Sequence, residues 1–323
     1  MPDTTFDLDL RPAELDDARK VADLETERDP SEPSDAARRL HWWQMTDELE
    51  IGMRQIAERD GKAVAYTSAS HERWEPEQKK YGTIRTLLSP AIWTEGAYGH
   101  LVKVAEEWLR GEGAVVSVAR IREDFASDLN AVQRLGYREM RRMRMSELDL
   151  TEHRDQLLAA REEGRRHMRD QGVQMLLLSD DPDPDKLHKL YTMVIESEKD
   201  IPTTVPWREL SFDEWKIFWF SNPVIRDDWF WIAREGDAVV GTSVLDIPVE
   251  RGLPWTAYTG TSRSVRGRGI ARALKYESIC QALEAGYERV RTTNDSDNPH
   301  ILRINQEMGY RLVAPIVELH RDL

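Results

Sequence analysis

Cysteine is nearly absent from this sequence, because Cys280 is the single one among 323 residues. One thiol cannot form an intrachain disulfide, and it cannot supply the several thiolates of a zinc or iron–sulfur site. The histidines show no pair at metal-ligand spacing with carboxylates, so we expect no metal. Disulfides belong to oxidising compartments, and this cysteine content is typical of a reducing one.

Long apolar runs and excess basic charge are also lacking. No segment approaches the roughly 18 uninterrupted apolar residues of a membrane helix, and the start, MPDTTFDLDLRP, lacks the basic and apolar regions of a secretory signal. The 45 Lys and Arg residues face 59 Asp and Glu residues, which gives a formal net charge of −14. Nucleic-acid binding needs basic surfaces that neutralise phosphates. We therefore predict a cytoplasmic protein that binds neither nucleic acid nor a membrane.

The chain contains an internal repeat. Strand-like starts at 6–12 and 172–181 are each followed by two helical patterns, a hairpin pattern around a polar glycine turn, a strand and an amphipathic helix. Each series closes with a strand, a short helix and a glycine–aromatic pair, at Tyr137 and Tyr310. Such a repeat predicts two similar domains, which we place at 1–150 and 172–323, joined by a linker helix within 151–171.

The stretch SRSVRGRGIARALK, Ser262 to Lys275, places two glycines where an amphipathic helix begins. It follows a predicted strand, so it forms a strand-to-helix turn whose unpaired amides and positive helix end favour an anion. A pyrophosphate would fit. The turn matches neither the GxxxxGK nucleotide loop nor the dinucleotide fingerprint, which needs a third glycine where Arg272 stands.

Two motifs in order resemble the Gcn5-related N-acetyltransferase (GNAT) superfamily, specifically tandem-domain members such as mycothiol synthase-like proteins. Arg266 to Ala271 looks like the family's acetyl-CoA pyrophosphate motif, Q/R-x-x-G-x-G/A, and Thr292 to Tyr310 is similar to the tandem members' Thr-x-Asn to Gly-aromatic signature. The resemblance implies an α/β protein with a mixed sheet: two tandem GNAT folds, each a mostly antiparallel central sheet flanked by helices. It also implies an acyltransferase that moves acetyl from acetyl-CoA to a primary amine of a small molecule.

The resemblance implies that the second repeat binds the coenzyme. The amides of the glycine turn would hold the pyrophosphate, while backbone before the turn would bind the pantetheine arm and polarise the thioester carbonyl. Asn298 also suits a helix cap. The residues expected to bind acetyl-CoA are Gly260, Thr261, Ser262, Arg266, Gly267, Arg268, Gly269, Ile270, Ala271, Asn298 and Asn305.

The catalytic residues depart from the family pattern. Mycothiol synthase-like members carry a glutamate base where this chain has Trp255, and many single-domain relatives carry a tyrosine acid where it has Asn305. A base is needed because an amine is mostly protonated at neutral pH. Asp246 and Glu198 are the candidate bases, and for each the alternative is a structural or solvated carboxylate.

Aromatic residues in the second repeat are candidates for the acceptor site. Trp207, Trp255 and Tyr258 could line the acceptor pocket, since aromatic rings bind apolar and cationic groups. Packing in the core is the alternative for each of them.

The first repeat departs from the motif at the corresponding turn. Trp93 replaces the motif's Gln or Arg, Gly96 keeps its first glycine, and Tyr98 replaces its final small residue. A tyrosine ring there would fill the phosphate space, and Glu95 adds an unfavourable negative charge. We predict a degenerate copy that packs against the active one and shapes a substrate cleft.

Two other functions stay open at this point. The missing base favours an acyl-CoA-binding regulatory protein without turnover, and an open groove would favour a protein or peptide N-acetyltransferase. The sequence is compatible with a monomer or a homodimer.

Overall fold

The computed structural model describes residues 8–75 and 77–323, so Phe6 and Asp7 of the first predicted strand lie outside the described residues. The first repeat has the order β-α-α-β-β-β-α-β-α-β. Its elements are β1 (Arg11–Pro12), α1 (Ala18–Arg28), α2 (Ala36–Leu49), β2 (Glu50–Arg59), β3 (Lys62–Glu72), β4 (Tyr81–Leu88), α3 (Glu95–Glu112), β5 (Val116–Arg122), α4 (Ala126–Arg134) and β6 (Arg138–Asp149).

The second repeat follows helix α5 (Arg154–Asp170), which lies in the segment predicted as the linker, and has the same order of elements. These elements are β7 (Gln174–Leu177), α6 (Lys186–Glu198), α7 (Phe212–Phe220), β8 (Phe230–Glu235), β9 (Ala238–Asp246), β10 (Trp255–Thr261), α8 (Ile270–Glu284), β11 (Arg289–Asp295), α9 (Pro299–Met308) and β12 (Arg311–Asp322). Both repeats therefore contain one supersecondary series, as the sequence predicts.

The strands form one continuous sheet in the order β1-β2-β3-β4-β5-β12-β6-β11-β10-β9-β8-β7. Neighbours are antiparallel except β4 with β5 and β10 with β11, which are parallel. The predicted α/β class, with mostly antiparallel strands flanked by helices, is confirmed.

The last strand of each repeat is exchanged, which the sequence did not predict. Strand β6 pairs with β11 of the second repeat, and β12 pairs with β5 of the first. An equivalent ion pair crosses each exchanged contact: the Nε–Oε2 distance is 2.7 Å for Arg291 with Glu147, and 2.7 Å for Arg120 with Glu318. The exchange merges two sheets into one, while the domain limits at 150 and 172 stay a prediction.

Helices cover both faces of the sheet because successive strand residues point to opposite sides. On β3, Tyr66 packs with α1 and α2, whereas its neighbour Ala65 packs with α3. On β8, Ile232 packs with α6 and α7, whereas its neighbour Ala233 packs with α8. Strands buried on both faces explain the apolar runs that mark them in the sequence.

Asp35 joins the two repeats. Its Oδ1 caps α2 by accepting hydrogen bonds from the amides of Ala37 and Arg38 at 2.9 and 3.1 Å. Its Oδ2 accepts from the amides of Val249, Glu250 and Arg251, between β9 and β10, at 2.8, 2.7 and 3.3 Å. One buried carboxylate thus fixes the position of this loop against the first repeat.

Candidate active site

Strands β10 and β11 diverge like the arms of a V. The two strands pair at Trp255 and Arg291, and the Arg291 amide donates a hydrogen bond to the Pro254 carbonyl at 3.0 Å. Directly after this contact, a bulge at Ala257 shifts the register of β10 against β9. The two parallel strands therefore separate from Thr256 onward, and the backbone of β10 is exposed towards the opening.

The bulge decides which amides of β10 face the V. The Ser262 amide donates to the Val240 carbonyl at 3.0 Å, so Ser262 is hydrogen-bonded to β9. Bonded and non-bonded pairs alternate along an antiparallel ladder, which places Gly260 towards β9 as well and turns Thr259 and Thr261 towards the V. Of the three expected residues Gly260, Thr261 and Ser262, only Thr261 therefore directs its amide towards the V, and the binding of the coenzyme by this strand stays a prediction.

A cavity of about 1050 Å³ opens at the V. Most residues expected to bind the coenzyme line it, namely Gly260, Thr261, Arg266, Gly267, Arg268, Gly269, Ile270, Ala271 and Asn298, together with Tyr258 from the expected acceptor site. One wall comes from α5, through Gly164, His167 and Met168. Sequence reasoning missed this wall because a charged helix between repeats gave no signal beyond that of a linker.

The glycines of the turn are required by backbone conformation. Gly267 and Gly269 have φ values of +79° and +84°, which side chains disfavour. A Cβ added to Gly267 would meet no atom within 4 Å, so space is not the constraint there. Among the described residues, none accepts a hydrogen bond from the amides of residues 267–272. These amides and the start of α8 form an anion site.

The arginines of the turn are already paired. Arg266 Nη2 lies 2.6 Å from Asp200 Oδ2, and Arg268 Nη2 lies 2.9 Å from Glu235 Oε1. Hydrogen bonds from Arg263 and Arg266 hold the pKa of Asp200 well below its usual range. The amides, rather than free guanidinium groups, are therefore the unsatisfied donors of this turn.

The corresponding turn of the first repeat lacks the anion site. Helix α3 begins at Glu95, and the Thr94 hydroxyl accepts a hydrogen bond from the Ala97 amide at 3.1 Å. Gly96 does not adopt positive φ, and Tyr98 is buried. A side-chain cap and a tyrosine ring thus replace the amide cradle of the second repeat.

A buried ion pair closes the same region of the first repeat. Asp128 is paired with Arg28, and its Oδ1 accepts a hydrogen bond from Trp93 Nε1 at 2.8 Å. Trp93 is the residue that replaces the motif's Gln or Arg. In this region the side chains of the first repeat thus pair with one another, whereas the second repeat leaves its backbone amides without partners.

Glu198 is the candidate base beside the cavity. It ends α6, between the cavity residues Ser197 and Asp200, and burial raises its pKa to about 7. The hydroxyl of Ser197 shares a hydrogen bond with the Tyr258 hydroxyl at 2.7 Å. Burial raises the pKa of Tyr258, and the Glu198 charge raises it further. Ser197 and Tyr258 thus form a hydrogen-bonded group on the α6 side of β10, and the Glu198 charge acts on it.

Asp246 lies away from this group. It ends β9 opposite Trp255, and its Oδ2 lies 3.8 Å from Arg38 Nη2 of the first repeat. Burial raises the pKa of Asp246 to about 6 against the opposing charge of Arg38. Like Glu198, Asp246 is not among the residues that line the cavity at the V.

Two of the expected acceptor residues lie elsewhere. Trp255 lines a second cavity, of about 550 Å³, that is also lined by residues of β4 and β5 in the first repeat. Trp207 is exposed, and the Nζ of Lys199 lies 5.7 Å from its ring centroid. The expected acceptor set of Trp207, Trp255 and Tyr258 is thus not one cluster, because the bulge and the loop after α6 separate its members.

The two asparagines expected at the coenzyme differ in position. Asn298 lines the cavity and caps α9 by accepting a hydrogen bond from the Ile301 amide at 3.3 Å. Asn305 is buried, and its Nδ2 donates to Asn294 Oδ1 at 2.6 Å. Asn305 therefore lies behind the cavity wall, because its helical position turns it towards β11.

Within the described residues, no helix combines the length and apolar character that crossing a bilayer requires. In the same part of the chain, no three His, Cys, Asp or Glu side chains are grouped as metal ligands would be.

Residues 166–310 match the model of the Acetyltransferase (GNAT) family, a span that contains the V and the glycine turn. No curated protein matches the sequence.

Solved structures resemble the whole chain. A GCN5-related N-acetyltransferase from Sphaerobacter thermophilus is 22% identical with a TM-score of 0.68, over 97% of this chain and 95% of that one. A tandem GNAT protein from the clavulanic acid biosynthesis pathway is 13% identical with a TM-score of 0.73, over 97% and 98% of the two chains. At these identities the likeness shows the fold, and the resemblance to mycothiol synthase-like members stays a prediction.

Proposed function

We propose that this chain is a tandem acetyltransferase of the GNAT superfamily, whose second repeat transfers acetyl from acetyl-CoA to a primary amine of a small molecule. The match of residues 166–310 to the Acetyltransferase (GNAT) family and the tandem GNAT fold of the whole chain support this proposal. The carrying observation is the set of unpaired amides at residues 267–272, at the mouth of the V and on the same cavity as Ser197 and Tyr258. An anion site and an open strand edge meet there, and the half-buried Glu198 is next to Ser197 in the chain. Acyl transfer from a phosphorylated carrier requires such an anion site and such a base.

Positioning is the first contribution that we assign. The amides of residues 267–272 would bind the pyrophosphate of acetyl-CoA, and the outward-facing backbone of Thr261 would bind the pantetheine arm as an added strand does. Holding both reactants in place can supply roughly 7–11 kcal/mol of a bimolecular barrier in favourable cases. The short pairing of β10 with β11 supports this role, because it leaves that strand edge open.

Stabilisation of negative charge is the second contribution. When the amine attacks, charge develops on the thioester oxygen, and a fixed donor directed at that oxygen stabilises it. We assign the donor to the Thr259 amide, which follows the bulge and faces the V. A backbone donor fixed in a sheet needs no reorganisation when the charge develops.

Proton removal is the third contribution, and we assign it to Glu198. A base is most effective when its pKa lies near the working pH, and burial raises that of Glu198 to about 7. Asp246 has a similarly raised pKa but faces Arg38 of the first repeat. Its position supports a role between the repeats rather than at the V.

The first repeat is proposed to take no part in coenzyme binding. Its capped helix start, buried Tyr98 and the Asp128 pair support this assignment. Its contribution is to hold the loop between β9 and β10 through Asp35.

A transfer assay tests the proposal. The protein is incubated with acetyl-CoA and polyamines, aminoglycosides, amino acids or cysteinyl sugars, while thiol release is followed and the acetylated product is identified by mass. Amine-dependent thiol release that fails in Gly269→Glu supports the proposal. Binding of acetyl-CoA without transfer to any amine would instead favour the regulatory alternative, and transfer confined to peptides would favour a peptide N-acetyltransferase.

A further inference from the structure

Four side chains at the apex of the V each carry a buried polar atom without a hydrogen-bond partner. They are Thr256 of β10, Lys275 of α8, Asn305 of α9 and Tyr310 before β12, and we call them the apex cluster. Among the described residues, none forms a hydrogen bond with Thr256 Oγ1, Lys275 Nζ, Asn305 Oδ1 or the Tyr310 hydroxyl. Thr256 directly follows the last paired residue of β10, so the cluster lies where the strands begin to separate.

Lys275 is the centre of this cluster. Its side chain is 0% exposed, and its Nζ lies 4.9 Å from the centroid of the Tyr310 ring. Burial lowers the pKa of Lys275 to about 7. The Tyr310 hydroxyl is close to that of Thr256, although the two are not in hydrogen-bond geometry. Burial raises the pKa of Tyr310, so its hydroxyl is neutral at the pH where Lys275 titrates.

The charged groups on the neighbouring elements form ion pairs with one another and not with Lys275. Between α5 and α8, Arg161 pairs with Glu284 and Arg165 pairs with Glu277. On α9, Glu307 pairs with Arg272 and Arg303. Between β11 and β6, Arg291 pairs with Glu147. Other titratable side chains nearby are Tyr276 and Cys280 on α8, whose pKa values are both raised by burial, and His153 against Gly309. None of these charged groups pairs with Lys275, and the Tyr310 ring lies against its amine.

Stability does not explain the apex cluster. Burying a polar atom without a hydrogen bond is unfavourable, and an amine is among the least favourable groups to bury. Methionine at position 275 would fill a similar volume without that cost. Residues that oppose stability yet lie together at the inner end of a proposed active site are expected to serve function.

We propose that the apex cluster supplies the proton that the coenzyme sulfur takes up during transfer, with Lys275 as the source and the hydroxyls of Tyr310 and Thr256 as the path. This inference rests on the proposed function of the second repeat. Asn305 cannot be the source, because a side-chain amide is not an acid at this pH. The cluster lies behind the cavity wall, so Lys275 acts through the hydroxyls and is a positioning residue.

The proton and bond changes balance. The bond from the acetyl carbon to the amine nitrogen forms as its bond to sulfur breaks, and Glu198 accepts the proton that the amine loses. The sulfur takes a proton from the hydroxyl path, and the Lys275 ammonium replaces that proton. Lys275 is left neutral and regains a proton from water after the products leave, while Glu198 releases its own.

Lys275→Met gives the first test, in the full chain. We expect its thermal unfolding midpoint to rise, since an unpaired buried amine is removed, while kcat falls by about 10²-fold. The wild-type pH profile should fall as pH rises through about 7, where Lys275 loses its proton, and the variant should lack this falling limb. Cys280→Ala, in the core of the same helix, is the matched control: its midpoint should fall while its pH profile keeps both limbs.

A second test needs no acceptor and uses coenzyme A itself. The thiol pKa of bound coenzyme A is read from the ultraviolet absorbance of its thiolate. It should be lower on the wild type than in solution, and close to the solution value on Lys275→Met. Tyr310→Phe removes only the hydroxyl and should also raise the thiol pKa of bound coenzyme A above its value on the wild type. This variant serves as the test if Lys275→Met does not fold.

The outcomes separate this inference from the function on which it rests. A wild type that binds acetyl-CoA but acetylates no amine contradicts the proposed function, whatever Lys275 does. A wild type that acetylates an amine, with Lys275→Met keeping the same kcat and falling limb, overturns the inference alone. Equal thiol pKa values on the wild type, Lys275→Met and Tyr310→Phe also overturn it.

Discussion

Arg266 of the glycine turn and Asp200 of the segment after α6 form an ion pair, with 2.6 Å between Nη2 and Oδ2. The same carboxylate pairs with Arg263 at 2.6 Å. Asp200 and Arg266 line one cavity, beside the unpaired amides of residues 267–272. The Asp200 carboxylate is therefore paired with both arginines beside the place where phosphates are proposed to bind.

Asp200→Asn should strengthen acetyl-CoA binding, because a negative charge is removed beside the proposed pyrophosphate site and two arginines are released. The pair is partly exposed, so we expect a gain of about threefold to tenfold, smaller at high salt. Calorimetry at two salt concentrations measures it. Asp228→Asn breaks an exposed pair with Arg226 elsewhere in the repeat and is the control. Weaker binding by Asp200→Asn would mean that Asp200 supports the site.

Glu198→Gln should abolish the rising limb of the pH profile. A base acts when deprotonated, so kcat/KM should increase as pH rises through about 7, where burial places the pKa of Glu198. The amide cannot take the proton, and we expect a loss of about 10²-fold or more. Glu209→Gln, an exposed residue paired with Lys199, is the control. If the limb instead disappears in Asp246→Asn and persists in Glu198→Gln, the base is misassigned.

Asp35→Ala should destabilise the protein by roughly 1–3 kcal/mol, because the amides of α2 and of the loop between β9 and β10 lose their common acceptor. Hydrogen bonds from backbone amides lower the pKa of Asp35 against the opposing effect of burial. Its contribution is therefore present above the unfolded pKa and is lost as pH falls through the folded pKa. Urea unfolding from neutral to acidic pH measures both effects.

The control for Asp35 is Asp213→Ala, which removes an exposed carboxylate paired with Lys216 on α7. Its free energy of unfolding should change by at most about 0.5 kcal/mol. Equal stability losses in the two variants would show that the amide contacts of Asp35 add nothing specific.

Local patterns predicted much of this molecule. The helical periodicity from Ile270 and the glycines of the turn depend on residues that are close together in the sequence. The structure has α8 and two glycines with positive φ there. The degenerate turn of the first repeat could be predicted for the same reason, since Tyr98 replaces a small residue within one short segment.

Pairing between distant strands could not be predicted in the same way. An alternating apolar pattern indicates which face of β6 or β12 is buried, but it does not specify the neighbouring strand, and equivalent strands of two repeats have similar patterns. The bulge at Ala257 likewise shifted the outward-facing amides from Gly260 to Thr259. The sequence carries no signal that Lys275 is buried, because its neighbours Tyr310 and Thr256 come from distant parts of the chain.

The stoichiometry of acetyl-CoA binding tests the central claim most directly, by calorimetry on the wild type, Gly269→Glu and Gly96→Glu. Glutamate at position 269 would be strained at a φ of +84° and would place a negative charge on the anion site, whereas a Cβ at Gly96 meets no atom within 4 Å. We predict one site per chain, lost in Gly269→Glu and retained in Gly96→Glu. Two sites in the wild type, or a site that survives in Gly269→Glu, would contradict the account.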